Sequence, residues 1–323
     1  MTTPLNDDPT ERDEQRGLEA LAAGDPAAAL AFFERVLVAR EAAIDPGQPA
    51  PTAHSDVARA ANNVGMALKG LGDPAAAVPY FERSLTLWES TGGPDHPGAA
   101  TAANNLGTAL EELGELAAAR PLFERALAIR ERAFGPDHPD TATVANNLGS
   151  LLDSLGDLDG ARAHFARALA IFERAYGPDH EATAGCLNNL GFLLLREGDY
   201  DGARPLLTRA LAIREAALGP DHPQTGTSLN NLGYLLLETG DLAAARPLLA
   251  RALAVWTAAL GPDHPATASA ASNMGILSYY EGDAVAAAGY MRRALRAREQ
   301  SLGPDHPLTA QSRRNLLTVQ AGG

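Results

Sequence analysis

Between residues 97 and 138 the apolar and small side chains fall on two helical faces. The first face carries Ala103, Leu106, Gly107, Leu110 and Leu113, spaced three and four apart as one side of an α-helix requires. The second carries Ala119, Phe123, Ala126, Leu127, Arg130 and Phe134 at the same spacings. Pro97 suits the first position of a helix, where its missing N–H has no partner in any case. Gly114 follows the last apolar residue of the first run, where a left-handed cap favours glycine. The second helix is predicted to start near Leu116 and to stop at Gly135-Pro136. Small residues at Gly107, Ala119 and Ala126 let the two helices approach closely. The predicted unit is a helix–turn–helix.

That unit recurs. Gly-Pro-Asp-His-Pro stands at 93–97, 135–139, 219–223, 261–265 and 303–307, and as Gly-Pro-Asp-His-Glu at 177–181. Asn-Asn-Leu-Gly keeps the same 42-residue step at 104–107, 146–149, 188–191 and 230–233. By length alone, 323 residues suggest two or three domains. A fixed period instead marks an array whose units bury their apolar faces against neighbours. The expected fold is all-α, an alpha-alpha superhelix of about seven helix pairs plus a C-terminal capping helix. The expected organisation is a disordered 1–8, a degenerate first unit at 9–44 and a Pro/Gly-rich connector at 45–53. Six 42-residue units at 54–306, a capping helix at 307–320 and a disordered 321–323 complete it.

Composition narrows the function. A net charge of -14 argues against nucleic acid or an anionic membrane as the main partner. Lys69 is the only lysine and has no glycine-rich loop before it, so a phosphate-binding loop is not expected. Cys186 is the only cysteine, leaving no intrachain disulfide or thiolate zinc site. The polar, acidic start of the chain is unlike a secretory signal, and aliphatic runs such as Leu193-Leu194-Leu195 are too short to span a bilayer. A cytoplasmic, non-enzymatic protein without metal or cofactor is the expectation. Seven histidines recur once per repeat, from His54 to His306. Single ligands separated by helix packing distances make a ladder, so their expected role is to satisfy helix-start donors.

The recurrent asparagines carry more information. The second of each pair recurs at Asn63, Asn105, Asn147, Asn189, Asn231 and Asn273, continuing to Asn315, whereas the first lapses to Ser272 and Arg314. Its helical stripe lies away from Leu106 and Leu110, and a carboxamide can both donate to and accept from an extended main chain. Either it lines a groove, or it is a strut to the neighbouring repeat. As a groove residue it faces solvent, and its loss weakens binding while leaving the melting temperature almost unchanged. Residues three and seven further on vary, with Phe192, Tyr234, Ile276, Tyr280 and Arg196 prominent in the C-terminal half. In the second helices one position alternates cation and aromatic through Trp88, Arg130, Phe172, Arg214, Trp256 and Arg298. It reads as a half-buried rim or as inter-repeat packing with cation–π contacts.

Asn-Asn-Leu-Gly, Arg-Ala-Leu-Ala-Ile-Arg-Glu at 125–131 and Gly-Pro-Asp-His-Pro resemble the tetratricopeptide repeats of kinesin light chains over roughly residues 54–320. The unit is longer than the roughly 34-residue tetratricopeptide. The resemblance implies a protein- or peptide-binding scaffold. In that family the asparagine stripe lines the concave groove and contacts the main chain of a bound peptide, and an arginine at the Arg130-type position meets acidic cargo. The implied partner is a protein or extended peptide that is acidic or aromatic-bearing. A second expectation is self-association, because residues 1–50 carry a net -6 and residues 284–323 a net +4 by count of Asp, Glu, Lys and Arg.

Overall fold

The computed structural model describes residues 8–44 and 51–322, and these form fifteen helices with no strand among the described residues. The chain folds as two compact units, 1–171 and 172–323, the boundary falling inside one helix. The first unit holds α1 (Pro9–Ala22), α2 (Pro26–Ala42), α3 (Pro51–Gly70), α4 (Pro74–Gly92), α5 (Pro97–Glu112), α6 (Leu116–Phe134) and α7 (Pro139–Leu155). It also holds most of α8 (Leu158–Tyr176). The second holds the end of α8, then α9 (Glu181–Arg196), α10 (Tyr200–Leu218), α11 (Pro223–Glu238), α12 (Leu242–Leu260), α13 (Pro265–Tyr280), α14 (Ala284–Leu302) and α15 (Pro307–Gly322). Seven pairs and an unpaired last helix are thus present.

Three boundaries differ from the sequence reading. Asp8, placed in a disordered start, caps α1 by accepting the Thr10 N–H at 2.9 Å. The connector ends earlier than 53, because Pro51 opens α3, as proline can at a first helical position. Ala321 and Gly322 continue α15. Residues 1–7, 45–50 and 323, which carry the rest of those expectations, lie outside the described residues.

Within each unit, helices pack mainly on their sequence neighbours. First helices of adjacent pairs also touch, α3 with α5 and α5 with α7 in one unit, α9 with α11 and α11 with α13 in the other. The first unit's core includes Phe33, Val36, Val57 and Val64, then Phe81, Leu106 and Ala109. The second unit's core centres on Leu207, Leu229, Leu235, Leu249, Trp256 and Leu277. By length and composition α12 could cross a membrane, which the short aliphatic runs did not suggest. Its apolar side chains Ala245, Leu249, Ala252, Val255 and Trp256 are instead buried in that core, while Arg246 and Arg251 pair with Glu281 and Glu215.

The punctuation is physical. Gly114 at φ 81° and Gly135 at φ 92° occupy backbone that side-chain-bearing residues rarely adopt. Six of the seven recurrent histidines sit at helix starts, with Nδ1 accepting the N–H two residues on; His54 does not, because α3 already opens at Pro51 and places it inside the helix. His96 takes it from Gly98 at 3.0 Å, His138 from Asp140 at 3.1 Å, and His180 from Ala182 at 3.1 Å. His222, His264 and His306 do the same at 3.1–3.2 Å. Only an unprotonated Nδ1 can accept.

This cap has a pH signature. Desolvation holds His264 below its ordinary value, so the unfolded chain binds more protons there than the folded one. Stability from this group is complete above the unfolded value of roughly 6.5 and is lost as pH falls through the lower folded value. Thermal melts should therefore move down between about pH 7.5 and 5. His264→Asn, whose amide caps without titrating near neutrality, should shrink that shift. Equal pH dependence in the two chains would refute the role.

Candidate functional site

The paired asparagines form hydrogen-bonded ladders. Asn147 Nδ2 donates to Asn104 Oδ1 at 2.9 Å, Asn104 Nδ2 to Asn105 Oδ1 at 3.3 Å, and Asn105 Nδ2 to Asn62 Oδ1 at 2.9 Å. The second unit repeats the pattern. Asn273 donates to Asn230 at 2.9 Å, Asn230 to Asn231 at 3.5 Å, and Asn231 to Asn188 at 3.2 Å. The second asparagine of one repeat thus bonds the first asparagine of the repeat before it. Asn63 and Asn231 are only 7% and 9% exposed, and Asn105, Asn147, Asn189 and Asn273 are half-buried. The expectation that these side chains simply face solvent is corrected. Once the first helices of neighbouring pairs touch, most of the carboxamides are enclosed between them, and enclosure demands partners.

The ladder breaks at two places: Asn62 Nδ2 turns to Met66 Sδ at 3.4 Å, which leaves the Asn63 side chain outside the ladder, and the bonds stop again at Ser272. Ser272 stands where the other repeats supply an asparagine, and it has no Nδ2 to fill Asn273 Oδ1. Nor does it offer a carboxamide oxygen to Asn315, whose side chain makes no hydrogen bond among the described residues. Both asparagines line a recess of about 500 Å³ within the second unit. Phe192, Tyr234, Ile276 and Trp256 supply its apolar wall, and Thr227, Ser269, Gln311 and Arg298 add polar groups. The recess therefore gathers Phe192, Asn231, Tyr234, Asn273 and Ile276. It omits Arg196, which is exposed near the end of α9, and Tyr280. The latter is 63% exposed and lines a separate hollow with Glu238 and Leu242. Gln311 was not among the expected groove residues, whereas Asn315 continues the asparagine series; the lapse at Ser272 was the available signal.

The alternating position of the second helices is more buried than a rim. Arg214, Arg298, Trp256 and Phe172 are buried, and Arg130 and Trp88 half-buried. The arginines and tryptophans reach another helix or the linker before it. Arg214 donates to the Gln224 carbonyl at 3.1 Å and Ser228 Oγ at 2.9 Å. Arg298 donates to the Leu308 carbonyl at 3.3 Å, Ser312 Oγ at 2.6 Å and Ser269 Oγ at 3.4 Å. Arg130 holds Thr101 Oγ1 at 2.6 Å and Asp140 at 3.2 Å. Its cation–π contact is with Phe134 of its own helix, not with a neighbouring repeat. Trp256 Nε1 donates to the Pro223 carbonyl at 2.9 Å, and its ring occupies the space a Cβ on Gly226 would need. The Trp88 ring does the same over Gly98 and stacks on His96, while Phe172 stacks on Tyr176. The arginines and tryptophans thus tie successive helices together, while the Phe172 stack stays within α8.

Two buried cations, Arg214 and Arg298, hydrogen-bond to no carboxylate among the described residues, although Glu181 lies near enough to Arg214 to favour its charge. Burial lowers the pKa of Arg214 and Arg298, yet guanidinium remains charged. Of the two, Arg298 lines the recess. Burial and a hydrogen bond to Glu238 push the Tyr234 phenol up to about 12, so it stays protonated. Burial likewise pushes the Cys186 thiol up to about 12, which makes a thiolate nucleophile unavailable at neutral pH.

Antiparallel helix pairs returning at a fixed step define a helical-repeat protein. The tetratricopeptide repeat family model matches residues 56–132, 101–174, 154–216, 183–256, 230–300 and 267–322, and the chain belongs to that family. Solved structures share the fold. BtubC (BKLC) from P. vanneervenii is 22% identical over 79% of this chain and 94% of its own, with a TM-score of 0.55. A putative kinesin light chain of Podospora anserina is 20% identical over 65% of this chain and 98% of its own, at 0.51. A Rap protein complexed with Competence and Sporulation Factor is 11% identical over 97% of this chain and 98% of its own, at 0.60. No curated protein matches the sequence.

Proposed function

We propose that this chain is a binding scaffold whose second unit holds an extended peptide in the recess around Asn273 and Asn315. The observation that carries the reading is the interrupted ladder. At Ser272 an acceptor on Asn273 and the carboxamide of Asn315 lose their intramolecular partners, beside an apolar wall of Phe192, Tyr234 and Ile276. A peptide unit offers the matching N–H and C=O, and a hydrophobic side chain fills the wall. Arg298 adds a cation whose hydrogen-bond partners are all neutral, which favours a carboxylate in the ligand. The Rap complex has the same fold with Competence and Sporulation Factor bound, consistent with this use.

Ser272→Asn tests the reading. Restoring the consensus asparagine should give Asn273 and Asn315 their ladder partners and close the site. Peptides selected from a displayed random library on the full chain should contain an acidic residue near an aliphatic or aromatic one. They should bind the variant at least about tenfold more weakly, roughly 1.4 kcal/mol, while its melting temperature holds or rises. Equal binding by both chains would sink the proposal.

A further inference from the structure

The last helix pair departs from its predecessors on the solvent-facing stripe of the second helix. Arg125, Arg167, Arg209 and Arg251 each pair with a glutamate on the preceding second helix, at 2.5–2.7 Å. Arg293 occupies the same position, but its partner is Thr257, at 2.8 Å through Oγ1. Its charge is left uncompensated. Arg292 and Arg296 stand beside it, with no ion pair or hydrogen bond among the described residues. The three guanidinium side chains, with Pro262 and Asp263, line one recess of about 370 Å³.

The repeats provide an internal comparison. At the Arg292 position the first three pairs carry Glu34, Glu82 and Glu124, and the next three carry neutral residues. At the Arg296 position the first two pairs have Val38 and Thr86, and the next four have alanine. One exposed stripe therefore runs from acidic to neutral to basic along the sequence. Glu34 and Glu82 are exposed and make no ion pair among the described residues, whereas Glu124 is paired with Arg120 at 2.8 Å.

We infer that the Arg292–Arg293–Arg296 recess docks the acidic stripe of α2 and α4, at Glu34 and Glu82, of a second copy of this chain. Like ends repel and unlike ends attract, so the contact is heterologous, head to tail. Guanidinium–carboxylate pairs suit the chemistry. Nucleic acid is disfavoured by the overall charge of -14, which repels a long polyanion. Exposed ion pairs are individually weak, so the association is weak and strongly salt-dependent.

Sedimentation velocity of the full chain tests this. At low salt the average mass should rise with protein concentration, and at about 0.5 M salt it should return to that of the monomer as the Debye length shrinks well below 10 Å. Arg292→Ala with Arg296→Ala should remain monomeric at both salts, with unchanged melting because these side chains are exposed. Glu34→Arg with Glu82→Arg should also be monomeric. A chain combining those two changes with Arg292→Glu and Arg296→Glu should associate again. A wild-type chain that is monomeric at low salt overturns the inference, as does association indifferent to the arginine changes. Failure of the charge-swapped chain to associate overturns it too. A monomer stabilised by millimolar inorganic phosphate, but not once both arginines are removed, would show an anion site without self-docking.

Discussion

Phe123→Ala should cost about 3–5 kcal/mol and loosen the helices around it more than any single surface change. Phe123 is fully buried on α6, and its ring lies over Gly107 of α5, where an added Cβ would sit 3.1 Å from the ring. The same close approach joins Gly17 to Phe33, Gly65 to Phe81 and Gly149 to Phe165. Removing the ring leaves a void that Gly107 cannot fill, having no side chain to swing in. Collapse is therefore limited, and the cost falls toward the upper part of the range. The helix pair shares core residues with its neighbours, Ala103 and Ile129 packing with Val144 of α7, so destabilisation should spread beyond the pair. Hydrogen exchange over residues 97–171 reads it directly. Unchanged protection there, with a shifted melt elsewhere, would contradict the assigned core. In the second unit Met291 replaces the large ring over Gly275, and Met291→Ala should be milder because a flexible thioether leaves a smaller, more adaptable void.

That core was legible because it depends on local spacing. Ala103, Leu106, Phe123 and Ala126 repeat at three and four, and Gly107 marks where two helices meet closely. The histidine caps were legible too, since a residue placed before a helix-opening proline has few other tasks. The ladder was less so. Adjacent asparagines point about 100° apart on a helix, so the pair Asn104-Asn105 reads as two separate surfaces. Its bonds join residues 43 apart, Asn147 to Asn104 and Asn105 to Asn62, and that offset exists only after neighbouring first helices are set side by side. Inter-repeat packing was one of the two readings of the Arg/Trp alternation, but its paths were hidden for the same reason. Arg214 and Arg298 reach carbonyls ten residues ahead, while Trp256 reaches back across the linker to Pro223. Sequence spacing within one helix contains neither path.

Asn104→Ala should lower the stability of the first unit by about 2 kcal/mol, because it orphans two carboxamide groups at once. Asn104 Oδ1 accepts from Asn147 and its Nδ2 donates to Asn105. Alanine leaves the Asn147 donor and the Asn105 acceptor facing each other's repeat with nothing between them, and half-buried groups regain only part of their hydration. For a unit of this size the melting temperature should fall by roughly 4–8 °C. The double variant Asn104→Ala with Asn147→Ala should lose less than the sum of its parts, since the second change removes a group already stranded; the coupling should exceed about 0.5 kcal/mol. Ser272 supplies the converse. This repeat carries serine where the others carry asparagine, so Ser272→Asn should hold or raise the melting temperature of the second unit where Asn104→Ala lowers that of the first. Additive losses for Asn104 and Asn147, or no change in melting for either, would mean that these side chains are not struts. The asparagine stripe would then return to being an open groove along its whole length, and the break at Ser272 would lose its claim to mark the binding site.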